Sequence, residues 1–209
     1  MANAVLFRQT KSGRYLIKAA AMAFVILFVC IAFTGCYYNK TKKFTEIEKY
    51  NSYLSDVPYA DDMMPDCEQD IGTYKSVQFG YKYRMYIFES EGITLMASYD
   101  EENYESAKSD MLARYAFLEE TIQDPDYVIP VTNFEYEGYF FQIVPNPKNP
   151  KCMACKSFMM VGYNDTKQAI AYLYFHDSDL DYILDADASE TEKQECMPKW
   201  IERYFVWYS

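Results

Sequence analysis

The fold of this chain is decided by the stretch VQFGYKYRMYIFESEGITLMASYD at residues 77–100. Apolar side chains take every second position from Val77 to Ile87, and again from Ile93 to Tyr99. A period of two is typical of strands that bury one face. Ser90-Glu91-Gly92 separates the two runs and predicts a turn. The stretch therefore predicts a β-hairpin and, with it, an antiparallel sheet.

The periodicity changes directly after this hairpin. Between Tyr104 and Ile122, apolar side chains recur at steps of three and four, which predicts a helix with one buried face. Asp100 suits the N-cap position, and Asp124-Pro125-Asp126 predicts the end of the helix. We therefore predict one crossover helix that packs on the sheet.

Two more hairpins are predicted further along the chain. Alternating segments flank Glu137-Gly138 and Asn164-Asp165, and both pairs are typical of turns. Helical spacing after residue 44 predicts a short helix, and a last helix is predicted to begin near Ser189 or Pro198. The sequence thus predicts an α+β fold: an antiparallel sheet of about six strands built from hairpins, one crossover helix, and short helices near both ends of the domain.

The first 35 residues differ in charge from the rest of the chain. They hold four basic residues and no acidic one, so residues 36–209 contain all 31 acidic and 16 basic residues, a formal charge of −15. The basic stretch leads into an uninterrupted apolar run, Ala19 to Phe33. Apolar runs of roughly 7–15 residues are typical of signal peptides, whereas a membrane-spanning helix needs about 20. Residues 1–35 are therefore predicted to be an export signal.

Small residues lead from this run into a cysteine. Phe33-Thr34-Gly35-Cys36 resembles the lipobox of bacterial lipoproteins, in which a Leu-Ala-Gly-Cys-like tetrapeptide is lipidated on its cysteine and cleaved before it. The resemblance implies cleavage between Gly35 and Cys36, acyl chains such as palmitate on Cys36, and attachment to the extracytoplasmic face of a cell membrane. It covers the first 36 residues only. The remaining domain resembles only small, acidic, uncharacterised bacterial lipoproteins, a likeness that implies no activity.

The residues leave one alternative for this segment, an uncleaved membrane anchor in which Leu16 and Ile17 extend the apolar run past Lys18. The preferred interpretation divides the chain into three regions. Residues 1–35 are the signal peptide, and residues 36–55 are the lipidated cysteine with a polar tether and a short helix. Residues 56–209 are one α+β extracytoplasmic domain.

The sequence offers few residues for catalysis. The chain has one histidine, His176, which any acid–base triad would have to use, with Asp177 as its neighbour. It contains no Gly-x-Ser-x-Gly elbow, no His-Glu-x-x-His zinc motif and no glycine-rich phosphate loop. We predict no catalytic residue, and no cofactor beyond the covalent lipid on Cys36.

Four cysteines remain in the exported domain: Cys67, Cys152, Cys155 and Cys196. Outside the cytoplasm such a set predicts two disulfides, in any of three connectivities. Free buried thiols stay an alternative. A redox or metal role for the C-x-x-C at residues 152–155 is a further one, but a helix that would lower its thiol pKa is not predicted there.

An acidic stretch follows the third hairpin. Asp177, Asp179 and Asp181 are spaced like the start of a calcium-binding loop. Tyr182 and Ala188 then stand where such a loop needs glycine and glutamate. We predict a solvated loop and no metal site, with a non-standard cation site at these three aspartates as the alternative.

Charge and aromatic content narrow the choice of partner. A formal charge of −15 on residues 36–209 argues against nucleic acid. The chain has 22 tyrosines, which suit a sheet with one half-wet face and, as an alternative, a platform that stacks sugars or peptides. The preferred function is a non-catalytic binding or scaffolding module for an envelope protein or glycan. The alternative is an envelope hydrolase that uses carboxylates the sequence does not identify.

Overall fold

The computed structural model describes residues 22–24, 38–85, 88–124, 127–146, 156–178, 183–184 and 187–208. The chain divides into two compact units, residues 1–38 and residues 39–209. In the first unit, residues 22–24 are helical and exposed. Cys36, the predicted cleavage site and most of the predicted signal peptide lie outside the described residues. Within the described part, no helix has the length and apolarity needed to cross a membrane.

The helices and strands of the described residues follow one another in this order: β1 (Tyr38–Phe44), α1 (Ile47–Asp56), α2 (Ala60–Met63), β2 (Ser76–Met85), β3 (Glu89–Ser98), α3 (Glu101–Arg114), β4 (Ile122–Asp124), β5 (Tyr127–Ile129), β6 (Asn133–Tyr136), β7 (Tyr139–Pro145), β8 (Lys156–Asn164), β9 (Ala169–Asp177) and α4 (Glu190–Tyr204).

The predicted α+β class is confirmed. Seven of the described strands form an open antiparallel sheet in the order β1-β2-β3-β9-β8-β7-β6, and β4 pairs with β5 in a separate ribbon. The sheet gains a strand over the predicted number because Tyr38–Phe44, a polar segment expected to be a tether, forms edge strand β1. Lysines suit such an edge, because their charge discourages pairing with another chain.

The first hairpin forms, but its turn lies elsewhere than predicted. Met85 of β2 is opposite Glu89 of β3, so the chain reverses between these two residues. The predicted turn at Ser90-Glu91-Gly92 is wrong, because this segment lies inside β3. A Cβ at Gly92 would come within 2.1 Å of the Tyr204 carbonyl oxygen. Glycine is needed there for close packing against the end of α4.

Helix α3 begins where predicted and ends earlier. The Asp100 carbonyl accepts a hydrogen bond from the Tyr104 N–H at 3.0 Å, which starts the helix. It ends at Arg114 rather than near Ile122. After it, the Leu118 N–H donates to the Ile143 carbonyl at 2.8 Å, which ties the segment to the sheet in place of a further helical turn.

The other predicted elements are found. The second hairpin turns at Glu137 and Gly138. Their φ angles of 46° and 79° lie in the left-handed region, which glycine and asparagine adopt most readily. The third turns after Asn164, opposite Ala169. The last helix, α4, begins at a capping box between Ser189 and Glu192, so of the two predicted starts the earlier one is correct.

Helices cover both faces of the sheet. Face A carries Phe79, Leu95 and Tyr172 and packs against α1, α2 and α3. Face B carries Met96, Leu173 and Phe175 and packs against α4. The central strand β9 is buried at every position. The expected half-wet face is therefore wrong for the centre of the sheet, where the tyrosines belong to the core.

Candidate functional site

A cleft of about 620 Å³ opens on face A between α2, the C-terminal end of α3 and the end of β7. Sites for small molecules commonly measure about 300–1,000 Å³. The lining residues are Asp61, Asp62, Met63, Met64, Asp70, Arg114, Tyr115, Ala116, Val144 and Pro145. The cleft therefore combines an apolar floor with a charged rim.

The floor of the cleft is part of the face A core. Met63, Met64 and Val144 are buried there, and Tyr115 packs against the same cluster. The Tyr115 ring centroid lies 6.3 Å from that of Tyr172 and 6.4 Å from that of Phe117, so its orientation is held from two sides. Methionine side chains are adaptable, which suits a floor that has to fit a ligand.

Residues 57–71, called the wall segment below, form one side of the cleft and are held by tyrosine hydroxyls. The Tyr50 hydroxyl donates to the Pro65 carbonyl at 2.9 Å, and the Tyr99 hydroxyl donates to the Ile71 carbonyl at 3.0 Å. The Tyr174 hydroxyl donates to the Pro58 carbonyl. All three tyrosines are buried in face A, so the wall segment is fixed to the sheet by polar contacts.

The rim of the cleft is acidic. Arg114 donates to the Asp70 carboxylate, and the Asp66 N–H donates to the other oxygen of that carboxylate at 2.7 Å. The Arg114 hydrogen bond holds the pKa of Asp70 below its ordinary value, and Asp70 in turn raises the pKa of Arg114. The lining contains three aspartates and one arginine, a formal charge of −2.

A second polar feature crosses face A at one end of the sheet. The strand register places Glu91 opposite His176, and His176 opposite Ser157. The Asn146 side-chain amide donates to the Ser157 hydroxyl at 2.8 Å, and the Tyr81 hydroxyl donates to the Glu91 carboxylate at 2.5 Å. Glu91, His176, Ser157 and Asn146 are called the polar row below.

The polar row favours uncharged side chains. His176 is 9% exposed, and among the described residues its Nδ1 atom has no hydrogen-bond partner. Burial lowers the pKa of His176, with a partial opposing effect from Asp177 and Glu89. Burial raises the pKa of Glu91, although the Tyr81 hydrogen bond opposes the shift. Near neutral pH we therefore expect an uncharged His176 beside Glu91, whose carboxyl pKa is raised.

His176 and Asp177, the pair that an acid–base triad would have used, lie on opposite faces of the sheet. Successive residues of a strand point to opposite faces, so Asp177 lies on face B. It is buried, and the Ser90 hydroxyl donates to its carboxylate at 2.5 Å. Asp177 is therefore not part of a solvated loop as predicted, and Asp179 and Asp181 lie outside the described residues. In the described part of the chain, no three His, Cys, Asp or Glu side chains come together as a metal site.

The described cysteines are thiols. Cys67 is buried in face A, and Cys196 packs against face B, so the sheet separates them and they cannot bridge each other. Burial raises the pKa of Cys67 to about 12 and that of Cys196 to about 11. Cys152 and Cys155 lie outside the described residues, and a bridge between these two stays a prediction.

The cleft was missed by sequence reasoning. Residues 56–70 are acidic and contain two prolines, a composition typical of a loop rather than of a binding site. The ion pair at the rim joins Asp70 to Arg114 across 44 residues of chain. The one local signal was Asp61-Asp62-Met63-Met64, an acidic pair followed by an apolar pair between two prolines. Such a pattern suits a short helix that buries its end, which is what α2 does.

No protein-family model matches this chain, and comparison with curated proteins and with solved structures finds none that is similar. The features of this chain that bear on its function are therefore the cleft, the polar row and the predicted export signal.

Proposed function

We propose that this protein is a lipid-anchored binding module on the extracytoplasmic face of a cell membrane, and that the face A cleft is its binding site. The cleft is the observation that carries the proposal, because it joins an apolar floor to a few charged groups. The crossover helix α3 and the wall segment hold it open, while α4 closes face B. Two acyl chains on Cys36 would be enough for stable attachment.

The chemistry of the rim favours binding over catalysis. A general acid or base needs a pKa near the working pH. The pKa of Asp70 is lowered instead, because Arg114 stabilises its charged form. Asp70 and Arg114 therefore suit a structural role that fixes the shape of the cleft. An unidentified envelope protein or glycan remains the proposed class of partner.

An envelope hydrolase is the second candidate, and Glu91 is the observation that favours it. Burial raises the pKa of Glu91, and Glu89 lies two residues away on the same face of β3. Two carboxyl groups with different environments are what glycoside hydrolysis uses. The Glu91 carboxylate, however, already accepts the Tyr81 hydroxyl, and Glu91 does not line the cleft. Loss of an envelope glycosidase activity on Glu91→Gln, with unchanged folding, would favour this candidate.

The lipid anchor is tested at Cys36. We expect Cys36→Ala to abolish labelling by a fatty-acid probe and to leave an uncleaved precursor on a gel. Cys30→Ala removes a cysteine from the apolar run without touching the lipobox, and should keep both labelling and cleavage. Unchanged labelling and mobility of Cys36→Ala would contradict the anchor.

The binding site is tested with a side chain that fills the cleft. Ala116 is exposed and lines the cleft, so Ala116→Trp should block it with little effect on folding. Ala113→Trp is a matched control, because Ala113 is exposed on the same stretch but outside this cleft. In affinity capture from solubilised membranes, we expect a partner that Ala113→Trp retains and Ala116→Trp loses. A partner retained by both variants would place binding elsewhere.

A further inference from the structure

One end of the sheet combines three basic side chains with an exposed aromatic ring. Lys82, Arg84, Phe88 and Arg203 are called the docking end below. We infer that the docking end lies on the surface of the bilayer, with its cations against anionic lipid headgroups. This inference rests on the proposed lipid anchor at Cys36 and adds the surface of the domain that faces the membrane.

The short distance to the membrane follows from strand β1. The segment Tyr38–Phe44 was expected to be a tether, but it is part of the sheet. Only three residue steps join Cys36 to Asn39, and an extended chain spans at most about 3.6 Å per residue, roughly 11 Å in total. Electrostatic forces in physiological salt extend over about 8 Å. Charged side chains beside the beginning of β1 are therefore close enough to interact with the headgroups.

The direction of β1 decides which end of the sheet is close to the lipid. Phe44, the last residue of β1, stacks on Phe79 with 5.8 Å between the ring centroids. β1 is the neighbour of β2 in an antiparallel sheet. Going back along β1 from Phe44 to Asn39 therefore corresponds to going forward along β2 from Phe79 to Arg84. The beginning of β1 lies beside the docking end.

The three cations of the docking end meet where α4 ends. Lys82 donates to the Glu202 carbonyl at 3.1 Å, and Arg84 donates to the Arg203 carbonyl at 3.4 Å. The guanidinium groups of Arg84 and Arg203 lie 5.3 and 5.2 Å from the centre of the Tyr204 ring. Among the described residues, none of the three cations forms an ion pair with a carboxylate. Cations without a carboxylate partner suit an anionic surface.

The turn between β2 and β3 adds an apolar group. Phe88 is 49% exposed in this turn, where Met85 is opposite Glu89. The Glu89 carboxylate accepts the Tyr83 hydroxyl at 2.9 Å on face A, whereas the two arginines contact a ring that packs on face B. Aromatic side chains favour the interface between the headgroups and the acyl chains. Phe88 is therefore expected to enter that interface.

The inference is tested by tryptophan quenching. Full lipidated protein carrying Phe88→Trp is reconstituted in vesicles of equal parts phosphatidylglycerol and phosphatidylcholine with brominated acyl chains. We expect quenching of the added emission, after subtraction of the emission of protein without the substitution. Leu112→Trp is the matched control, because Leu112 is exposed on α3, and it should stay unquenched. Raising the salt from about 50 to about 500 mM should reduce the quenching of Phe88→Trp, because the charges are screened.

Paired variants in the Phe88→Trp protein connect docking to the cations. Arg84→Gln/Arg203→Gln should shift the ratio of docked to undocked protein about 30-fold toward the undocked form, because two cations near an anionic surface are removed. Arg84→Lys/Arg203→Lys keeps the charge and should keep the quenching. Lys49→Gln/Lys75→Gln removes the same charge from exposed residues outside the docking end and should also keep it. An equal loss in either of these controls would overturn the inference.

Flotation of the vesicles separates docking from the anchor. Protein that floats with phosphatidylcholine vesicles, while Phe88→Trp stays unquenched in the anionic ones, would overturn the inference and leave the anchor standing. Repulsion by Asp179 and Asp181, which follow β9 in the sequence and lie outside the described residues, would give this result. Flotation with anionic vesicles only, with quenching, would overturn the anchor and support the docking end. Absence of flotation with both kinds of vesicle would overturn both.

Discussion

Face A and face B of the sheet are covered in different ways. On face A, three buried tyrosines hold the wall segment through hydrogen bonds to the carbonyls of Pro65, Ile71 and Pro58. On face B, α4 is held by ring and apolar contacts, such as Phe175 against Trp200 and Tyr204 at 5.1 and 4.9 Å between centroids. Apolar packing covers both faces, and the hydrogen bonds to the wall segment are an additional feature of face A, next to the cleft. The difference favours face A as the side that carries the proposed binding function.

The largest expected effect is the loss of packing on face B. Phe175 is fully buried and contacts four aromatic rings. Phe175→Ala should lower the free energy of unfolding by about 3–5 kcal/mol, because it removes a large side chain and leaves a cavity. Urea denaturation measures the change. Phe88→Ala is the control, since Phe88 is 49% exposed, and it should change stability by less than about 0.5 kcal/mol. Similar losses for both would mean that α4 does not pack as described.

A smaller effect is expected when one hydroxyl is removed from face A. Tyr50→Phe leaves the buried Pro65 carbonyl without its hydrogen bond and should cost about 1–2 kcal/mol. The same change on face B, Tyr136→Phe, removes a hydroxyl for which no bond is seen among the described residues, and should be near neutral. Hydrogen exchange should rise in the wall segment of Tyr50→Phe and not in α4. An equal rise in hydrogen exchange in the wall segment and in α4 would contradict the difference described between the two faces.

The contrast between the faces also explains what the sequence could predict. Periods of two and 3.6 identified most strands and the helices α1, α3 and α4, but not α2, because burial on one side of a longer element leaves a local pattern. Leu118 kept the helical period but not the helix, since its N–H donates to the Ile143 carbonyl of β7, which is remote in sequence. The cleft depends on Asp70 meeting Arg114, a tertiary contact with no local period, so the sequence could not indicate it.

The pH dependence of stability is expected to be weaker still, and it reports on the polar row. Because the pKa of His176 lies below its ordinary value of 6.5, the unfolded chain takes up a proton here before the folded chain does. Stability from this residue is fully present above pH 6.5 and is lost as the pH falls through the lowered pKa. His176→Gln should therefore flatten the decline between pH 7.5 and 5.5 in denaturation curves.

Glu91 supplies the opposite sign for comparison. Its pKa is raised above 4.5, so its contribution is present below that pH and is lost as the pH rises through the raised pKa. As the pH rises above 4.5, the Glu91→Gln protein should therefore lose less stability than the unchanged protein. If both variants moved the profile in the same direction, the two groups would not have the environments described for the polar row.

The smallest expected effect is measured at two thiols, the buried Cys67 on face A and the partly buried Cys196 on face B. Burial keeps Cys67 and Cys196 protonated at neutral pH, and only the thiolate reacts with an alkylating agent. In the folded protein both should be alkylated slowly, with or without reductant, when single sites are followed by mass spectrometry. Cys67 belongs to the wall segment, so Tyr50→Phe should speed its alkylation through local opening and leave Cys196 unchanged. Faster reaction at both sites would indicate global unfolding instead, and protection that only a reductant removes would restore the predicted disulfides.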